Sequence, residues 1–223
     1  KIAAFPFHMW APDAYEAGST PFIAWLSVAP KAAGFVVIIR LYLEGAGSAA
    51  LAWAPLFSML AGVTIVAGNL MAIPQSNVKR LLAYSSISHF GYLLTGLAAL
   101  NFVSLQSSMI YLFTYTFATL AAFGVMSVVS ITHKLDTADA DADDLRYYRG
   151  LFWKQPYLAA IMMASMLSLA GMPMTIGFIG KFYVILAAIN SSLWWLLSIL
   201  VISSGIGLYY YLRVIVTLFL HAP

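Results

Sequence analysis

Long apolar runs separated by short polar links dominate the hydrophobic pattern of the chain. We predict helical spans at 22–43, 51–73, 81–100, 105–132, 157–188 and 194–220. A membrane-spanning helix needs about 20 predominantly apolar residues, and these runs are long enough. The pattern therefore predicts an all-α fold, a polytopic transmembrane helix bundle that forms a single domain over residues 1–223.

Proline and glycine interrupt two of the apolar stretches. The interrupting residues are Pro6, Pro12, Gly18 and Pro21 in and after an expected helix tail at 1–10, and Gly171, Pro173 and Gly177 within 157–188. Proline removes a backbone donor and clashes with the preceding turn. Freed backbone groups are tolerated inside a membrane only where they are buried in protein or line a wet cavity. We therefore predict two discontinuous helices.

The composition fits a membrane protein and excludes several functions. Of the residues, 62% are hydrophobic and 9% are charged, whereas roughly a quarter are charged in an average soluble domain. The absence of cysteine excludes disulfides, thiolate metal sites and iron–sulfur ligation in this sequence. The net charge of +3 is small and scattered, so no nucleic-acid partner is expected.

The longest polar segment, 133–156, is predicted to be a solvated cytoplasmic loop. It contains five of the eight acidic residues. An Asp-x-Asp-x-Asp run from Asp139 is similar to the start of a calcium loop. However, Asp144 and Gly150 stand where such a loop needs Gly and Glu. Calcium binding therefore remains the minor alternative, and no metal site is predicted.

The basic residues are distributed unevenly between the two ends of the predicted bundle. The links 11–21, 74–80 and 133–156 alternate with the links 45–50, 101–104 and 190–193. Lys and Arg occur only in the first group, as Lys79, Arg80, Lys134, Arg146, Arg149 and Lys154. Basic loops stay on the cytoplasmic side. The first group is thus expected in the cytoplasm of a multi-pass protein.

Two lysines stand inside predicted spans. Lys31 lies about nine residues into its span, which at 1.5 Å per residue is roughly 14 Å deep and near the bilayer centre. Lys181 follows the Gly-Met-Pro-Met-Thr-Ile-Gly interruption, and such breaks mark ion sites in many transporters. A buried lysine can load and release a proton. The alternatives are a permanent ion pair for Lys31 and a headgroup contact for Lys181.

Lys1, His8 and His89 are weaker candidates for the same proton path. Lys1 precedes Pro6 in the other interrupted stretch, and its depth stays open. His8 and His89 stand in apolar surroundings, where a histidine is more often a hydrogen-bonded structural residue than a proton relay. The serines 85, 86 and 88 beside His89 favour a water-linked relay. Neither histidine has a second histidine on its helix, so haem ligation is not favoured.

Three motifs resemble those of subunit N, or subunit 2, of proton-pumping NADH:quinone oxidoreductase, an antiporter-like family. The first is Lys-Ile-Ala-Ala-Phe-Pro-Phe-His-Met-Trp-Ala-Pro-Asp-Ala-Tyr-Glu-Ala-Gly-Ser-Thr-Pro at 1–21. The second is Gln-Ser-Asn-Val-Lys-Arg-Leu-Leu-Ala-Tyr-Ser-Ser-Ile-Ser-His-Phe-Gly-Tyr at 75–92. The third is Ser-Leu-Ala-Gly-Met-Pro-Met-Thr-Ile-Gly-Phe-Ile-Gly-Lys-Phe at 168–182. One departure, Ala17 between the Glu and Gly18, affects a loop.

The resemblance implies a window covering roughly the seventh to the thirteenth of the family's fourteen spans. It implies that the seventh and twelfth spans are the broken ones. Lys1, Lys31 and Lys181 then match the lysines of the seventh, eighth and twelfth spans, and the glutamate that pairs with the first lies outside the window. The twelfth-span lysine distinguishes the N-type from the M-type, which has glutamate there. The long lateral helix of the L-type is not seen in this sequence.

The implied function is proton translocation coupled to quinone reduction elsewhere in a respiratory complex. The resemblance places NADH, FMN, iron–sulfur clusters and quinone in partner subunits, with no cofactor in this chain. It implies neighbouring K-type and M-type subunits, membrane lipids around the bundle, and a bacterial inner (plasma) membrane. Alternatives are an Mrp-type cation/proton antiporter, a membrane-bound hydrogenase or ferredoxin-linked module, and a purely structural membrane subunit.

Overall fold

The computed structural model of the chain describes residues 2–41, 50–99, 102–137 and 143–220. Nine α-helices and one short 3₁₀ helix, at Leu145–Tyr148, occur in this part of the chain. The α-helices are α1 Trp10–Ala17, α2 Thr20–Arg40, α3 Ala50–Ala72, α4 Val78–Ala98, α5 Phe102–Thr137, α6 Leu151–Lys154, α7 Pro156–Ala170, α8 Ile176–Asn190 and α9 Trp194–Phe219. The predicted all-α fold is confirmed.

Four of the described helices are long and apolar enough to cross a membrane. The qualifying segments are Thr20–Arg40, Ala52–Ala72, Val103–Thr132 and Trp194–Phe219. Large apolar side chains on these helices, such as Phe113, Phe117 and Ile202, are exposed on the outside of the bundle. An apolar exterior of this kind is suited to lipid. The chain is a multi-pass membrane protein, as its hydrophobic pattern predicts.

Helix α4 occupies the centre of the bundle. Every residue of α4 except Arg80 is buried, and the helix packs against α1, α3, α5 and α8. A helix that is buried all round can carry serine and histidine side chains without exposing them to lipid. The polar residues that sequence analysis selected on this helix therefore face protein.

The two interrupted stretches differ from each other in the structure. Between α7 and α8, residues 171–175 form the predicted break, with Gly171 at φ 78° and Met174 at φ 76°. The helix tail expected at 1–10 is wrong over the described residues 2–9, which form no helix. Pro6 cannot donate the backbone hydrogen bond that a helix needs there, and Ala3 has φ 61°. Helix α1 begins only at Trp10.

The links predicted to share one end of the bundle contact one another. Residues around Asn77 and Asp144 form an antiparallel bridge, with Val78 donating to the Asp143 carbonyl at 2.7 Å. Arg80 pairs with Asp13 at 3.2 Å and with Glu16 at 2.5 Å. Helix α5 extends to residue 137, so the predicted loop 133–156 is helical over its first five residues. Asp139 and Asp141 of the possible calcium loop lie outside the described residues.

Lys79 is expected to stabilise this end of the bundle. Its side chain is fully buried, and its amine lies 2.9 Å from the Asp143 carboxylate and donates to the Gly18 carbonyl at 3.2 Å. Removing one partner of a buried ion pair leaves the other uncompensated, at a cost of about 3–5 kcal/mol, and the partial exposure of Asp143 reduces this. Lys79→Ala should therefore lower the melting temperature of the detergent-purified full-length protein.

The control is Lys154→Ala, which removes an exposed lysine at the same end of the bundle. Surface charges contribute about 0–1 kcal/mol, so this variant should melt close to the wild type. Equal melting temperatures for the two variants would contradict the stabilising role of Lys79.

Candidate functional site

Lys31 lies in the middle of α2, as the twelfth of its 21 residues. Its side chain is 1% exposed, and its amine donates a hydrogen bond to the hydroxyl of Ser86 on α4. The amine also faces the rings of Tyr15 at 5.2 Å and Phe90 at 5.7 Å. Aromatic faces attract a cation through their negative electrostatic potential. The site can therefore hold the ammonium form deep inside the bundle.

Lys181 lies beside the break between α7 and α8. Its amine donates to the carbonyl of Ala170, the last residue of α7, at 2.7 Å. Helix C-termini carry unsatisfied carbonyls and a partial negative charge, both of which stabilise a cation. The amine also faces the ring of Tyr92 on α4 at 5.3 Å. The break thus creates the polar contact that holds this lysine.

Gly171 makes the position of Lys181 possible. It ends α7 in the left-handed conformation, with φ 78° and ψ 41°, which glycine adopts without steric cost. A Cβ atom at this position would lie 2.5 Å from the Cδ of Lys181. The lysine side chain therefore passes over the glycine to reach the carbonyl behind it.

His89 lies on α4 between the two lysine sites. Its side chain is 4% exposed. Its Nδ1 contacts the hydroxyl of Tyr111 on α5, and its Nε2 lies 2.9 Å from the hydroxyl of Tyr211 on α9. The ring of Tyr115 packs against the imidazole with centroids 5.0 Å apart. The histidine is thus held by hydroxyl groups from two neighbouring helices.

A small cavity of about 10 Å³ connects His89 with Lys181. Its lining residues are His89, Tyr111, Thr114, Tyr115, Ala118, Ser168, Leu169, Gly177 and Lys181. A cavity needs about 10–15 Å³ and two to four polar partners to hold one water molecule. This cavity has room for about one, with hydroxyl, amine and imidazole groups around it. A single water could therefore link the histidine to the lysine.

Together these groups form a row of polar side chains along the inside of the bundle. The row runs from Lys31 through Ser86 on α4 to His89, one turn further along the same helix, and then across the cavity to Lys181. Hydroxyl and imidazole groups can each donate and accept a proton. An amine donates a proton when it is charged and accepts one when it is neutral. The arrangement can carry protons, and it offers no nucleophile–base pair for covalent chemistry.

No carboxylate lies within ion-pair distance of Lys31 or Lys181 among the described residues. The ion pairs found in this part of the chain lie at the end of the bundle, around Lys79, Arg80 and Arg146. The described residues therefore give no support to the alternative that Lys31 forms a permanent ion pair with a carboxylate. Likewise, no group of three or more metal-ligating side chains occurs in the described part.

Two of the predicted site residues are not joined to this row. His8 is 3% exposed and stacks on Phe5 at 5.3 Å. Neither of its ring nitrogens has a hydrogen-bond partner among the described residues. Lys1 lies outside the described residues. Their part in a proton path stays a prediction.

Sequence analysis missed the tyrosines that surround the row. Tyr15, Tyr111, Tyr115 and Tyr211 are all at most 5% exposed, and each contacts Lys31 or His89. A signal was present for two of them, because Tyr111 and Tyr115 are four residues apart and so share one face of an apolar helix. For Tyr15 and Tyr211 only the packing of the helices reveals the contact.

Comparisons with known proteins identify the family of the chain. The family model described as NADH:quinone oxidoreductase/Mrp antiporter, transmembrane, matches residues 1–207. NADH-quinone oxidoreductase subunit N of Ectopseudomonas mendocina (strain ymp) is 48% identical over 223 residues, which are 100% of this chain and 44% of that protein. The chain therefore spans less than half the length of this relative. The resemblance to subunit N seen in the motifs is confirmed.

Solved structures show the same fold in three assemblies. A chain of respiratory complex I from Thermus thermophilus matches with a TM-score of 0.84 and 33% identity, over 100% of this chain and 47% of that one. A chain of the Mrp complex from Dietzia sp. DQ12-45-1b matches with 0.92 and 25%, over 100% and 40%. A chain of an archaeal membrane-bound sulfane sulfur reductase matches with 0.88 and 26%, over 99% and 45%. The chain belongs to the NADH:quinone oxidoreductase/Mrp antiporter transmembrane family.

Proposed function

We propose that this chain is the proton-carrying region of subunit N in a proton-translocating NADH:quinone oxidoreductase. One observation carries the proposal, namely two buried lysines with no carboxylate partner among the described residues, with the hydroxyl of Ser86 and the imidazole of His89 placed between them on α4. Ionisable groups inside a membrane protein are expensive and mark ion or proton paths. The 48% identity to a subunit N supports the choice of complex.

The proposed mechanism is electrostatic. A conformational or charge signal from quinone reduction in partner subunits changes the proton affinity of Lys1. Its proton passes by waters to Lys31, then along Ser86 and His89 to Lys181, which releases it on the far side. Coupling of this kind needs only about 1–3 kcal/mol between neighbouring sites. The redox groups, NADH, FMN, iron–sulfur clusters and quinone, are assigned to partner subunits by the resemblance to subunit N, and this sequence has no cysteine that could ligate a cluster.

The same proposal specifies the lipids, the subunits and the membrane that surround the chain. Its apolar exterior faces lipid and the neighbouring K-type and M-type antiporter-like subunits. The membrane is the bacterial plasma membrane, with the basic end around Lys79, Arg80 and Arg146 in the cytoplasm.

A second candidate function is cation/proton exchange in an Mrp-type antiporter. It is favoured by the TM-score of 0.92 to a chain of an Mrp complex, against 0.84 to a chain of complex I. The sequence identities favour the first candidate, at 33% to the chain of complex I and 25% to the chain of the Mrp complex. Since both assemblies share this fold, a transport experiment is needed to distinguish the two candidate functions.

The test compares inverted membrane vesicles from the host bacterium with and without the gene for the full-length protein. If the first candidate is correct, deletion abolishes NADH-driven acidification of the vesicles, while ATP-driven acidification is unchanged. Expression of the gene from a plasmid restores it. If NADH-driven acidification survives deletion and sodium- or potassium-driven proton movement is lost, the chain belongs to an antiporter and the first proposal is wrong.

A further inference from the structure

Both ring nitrogens of His89 contact tyrosine hydroxyls, and one of these hydroxyls has a second partner. Tyr111 contacts Nδ1, and Tyr211 lies 2.9 Å from Nε2. The hydroxyl of Tyr211 also contacts the hydroxyl of Ser85, one turn before His89 on α4. Ser85, Tyr211, His89 and Tyr111 therefore form one hydrogen-bonded chain across α9, α4 and α5.

The protonation state of the imidazole determines the direction of each bond in this chain. A neutral imidazole has one donor and one acceptor nitrogen, so one tyrosine hydroxyl donates to the ring and the other accepts from it. A doubly protonated imidazole donates from both nitrogens, so both hydroxyls must accept. The hydroxyl that had been donating to the ring then needs another acceptor for its own hydrogen.

The structure provides such acceptors on both sides of the ring. Tyr211 can turn its hydrogen toward the oxygen of Ser85. Tyr111 lines the cavity of about 10 Å³, where its hydrogen can bind a water. A buried donor left without an acceptor is costly. Without Ser85, the hydrogen of Tyr211 would lose this acceptor whenever His89 is charged.

We propose that Tyr211 and Ser85 are positioning residues that allow His89 to carry a second proton. Tyr211 donates to the neutral ring at Nε2 and turns to donate to Ser85 when the ring takes up a proton there. The proton stays on His89 until a proton leaves from Nδ1 through the cavity toward Lys181. The neutral ring then keeps its hydrogen at Nε2, and the return of this hydrogen to Nδ1 lets Tyr211 turn back and donate to Nε2 again. This inference rests on the proposed function, since it assigns a role within the same proton row.

Ser108 provides a control with a buried hydroxyl outside this chain. Its side chain is fully buried on α5, one turn before Tyr111. Its hydroxyl donates to the backbone carbonyl of Ser104 on the same helix at 3.0 Å. Ser108→Ala therefore removes a buried hydroxyl without removing a partner of His89 or Tyr211.

The first experiment measures proton pumping by the assembled complex in proteoliposomes, at equal amounts of full-length subunit. We expect Tyr211→Phe to lower the pumping rate about five- to ten-fold, because a phenyl ring leaves Nε2 unpaired. Ser85→Ala should lower it less, about two- to five-fold. Ser108→Ala should stay within about two-fold of the wild type. Equal rates for the Tyr211→Phe and Ser108→Ala variants would overturn the inference.

A double variant distinguishes this role from general loss of packing. If Ser85 acts only through Tyr211, the combination Ser85→Ala/Tyr211→Phe pumps as fast as Tyr211→Phe alone. If the fold-reductions in pumping rate of the two single variants instead multiply in the double variant, Ser85 acts independently of Tyr211 and the inference is overturned. Infrared difference spectra with labelled histidine give a second readout: the imidazolium bands that are absent in His89→Gln should also vanish in Tyr211→Phe. Persistence of these bands would overturn the inference as well.

Failure of the inference can be told from failure of the proposed function. If Lys31→Ala and Lys181→Ala stop pumping while Tyr211→Phe pumps like Ser108→Ala, only the role of Tyr211 is wrong. If the lysine variants pump normally, the proton row itself is wrong, and the inference falls with it.

Discussion

Replacing Lys181 by alanine is expected to reduce proton-coupled quinone reduction by about 10²-fold, the size of effect seen when a positioned proton-transfer group is removed. The amine is the charged group that contacts the C-terminal carbonyl of α7, and it lines the cavity shared with His89. Alanine leaves a void at the end of the proton row. The measurement is the NADH:quinone reductase rate in membranes that contain equal amounts of assembled complex.

Lys181→Arg separates proton transfer from the mere presence of a positive charge. Arginine can donate to the Ala170 carbonyl and face the ring of Tyr92, but it does not lose its proton in proteins. If Lys181 must release a proton, the arginine variant is as slow as the alanine variant. A rate close to that of the wild type would show that only the charge matters at this position.

Gly177→Ala is expected to prevent normal assembly of the subunit. A Cβ atom at this first turn of α8 would overlap the backbone carbonyl of Ser168 on α7, and backbone cannot move aside as a flexible side chain can. The Gly177 N–H also donates to the Ser168 hydroxyl at 3.1 Å. Inserting a methyl group into such a contact costs typically about 1–3 kcal/mol, occasionally more. It also moves Lys181 away from Ala170.

Gly205→Ala is the matched control for this substitution. Gly205 lies within α9, and a Cβ atom there would meet no heavy atom within 4 Å. Alanine in a helix is about 0.5–1 kcal/mol more favourable than glycine, so this variant should assemble as well as the wild type. The amount of full-length subunit in the purified complex measures both. Equal incorporation of the two variants would contradict the tight contact between α7 and α8.

The helices and the burial of Lys31 and Lys181 could largely be predicted from the sequence. The length of an apolar run predicts a spanning helix, and the position of a lysine within the run predicts its depth. The predicted run 105–132 lies within α5, and Lys31 lies in the middle of its helix as the spacing indicates. The Gly-Met-Pro-Met-Thr-Ile-Gly motif marks the break where α7 ends. These features depend on residues close together in the chain, so local periodicity and proline chemistry were sufficient.

The remaining features depend on contacts between distant parts of the chain. Ser86 and Lys31 are 55 positions apart, and His89 and Tyr211 are 122 apart. Nothing in the local pattern of α9 distinguishes Tyr211 from Tyr210, although only Tyr211 contacts the histidine. The stretch 2–9 was wrongly predicted as helical because its apolar composition fits a helix, whereas Pro6 and the positive φ of Ala3 do not.

Proton translocation through the buried lysines is tested most directly by the number of protons pumped per NADH oxidised. The assembled complex is reconstituted in proteoliposomes with wild-type subunit, with Lys31→Ala, or with Lys154→Ala as the exposed-lysine control. Our account predicts that Lys31→Ala lowers proton pumping at equal assembly, whereas Lys154→Ala pumps like the wild type. Unchanged pumping and turnover in Lys31→Ala would contradict it, since the row from Lys31 to Lys181 would then carry no protons.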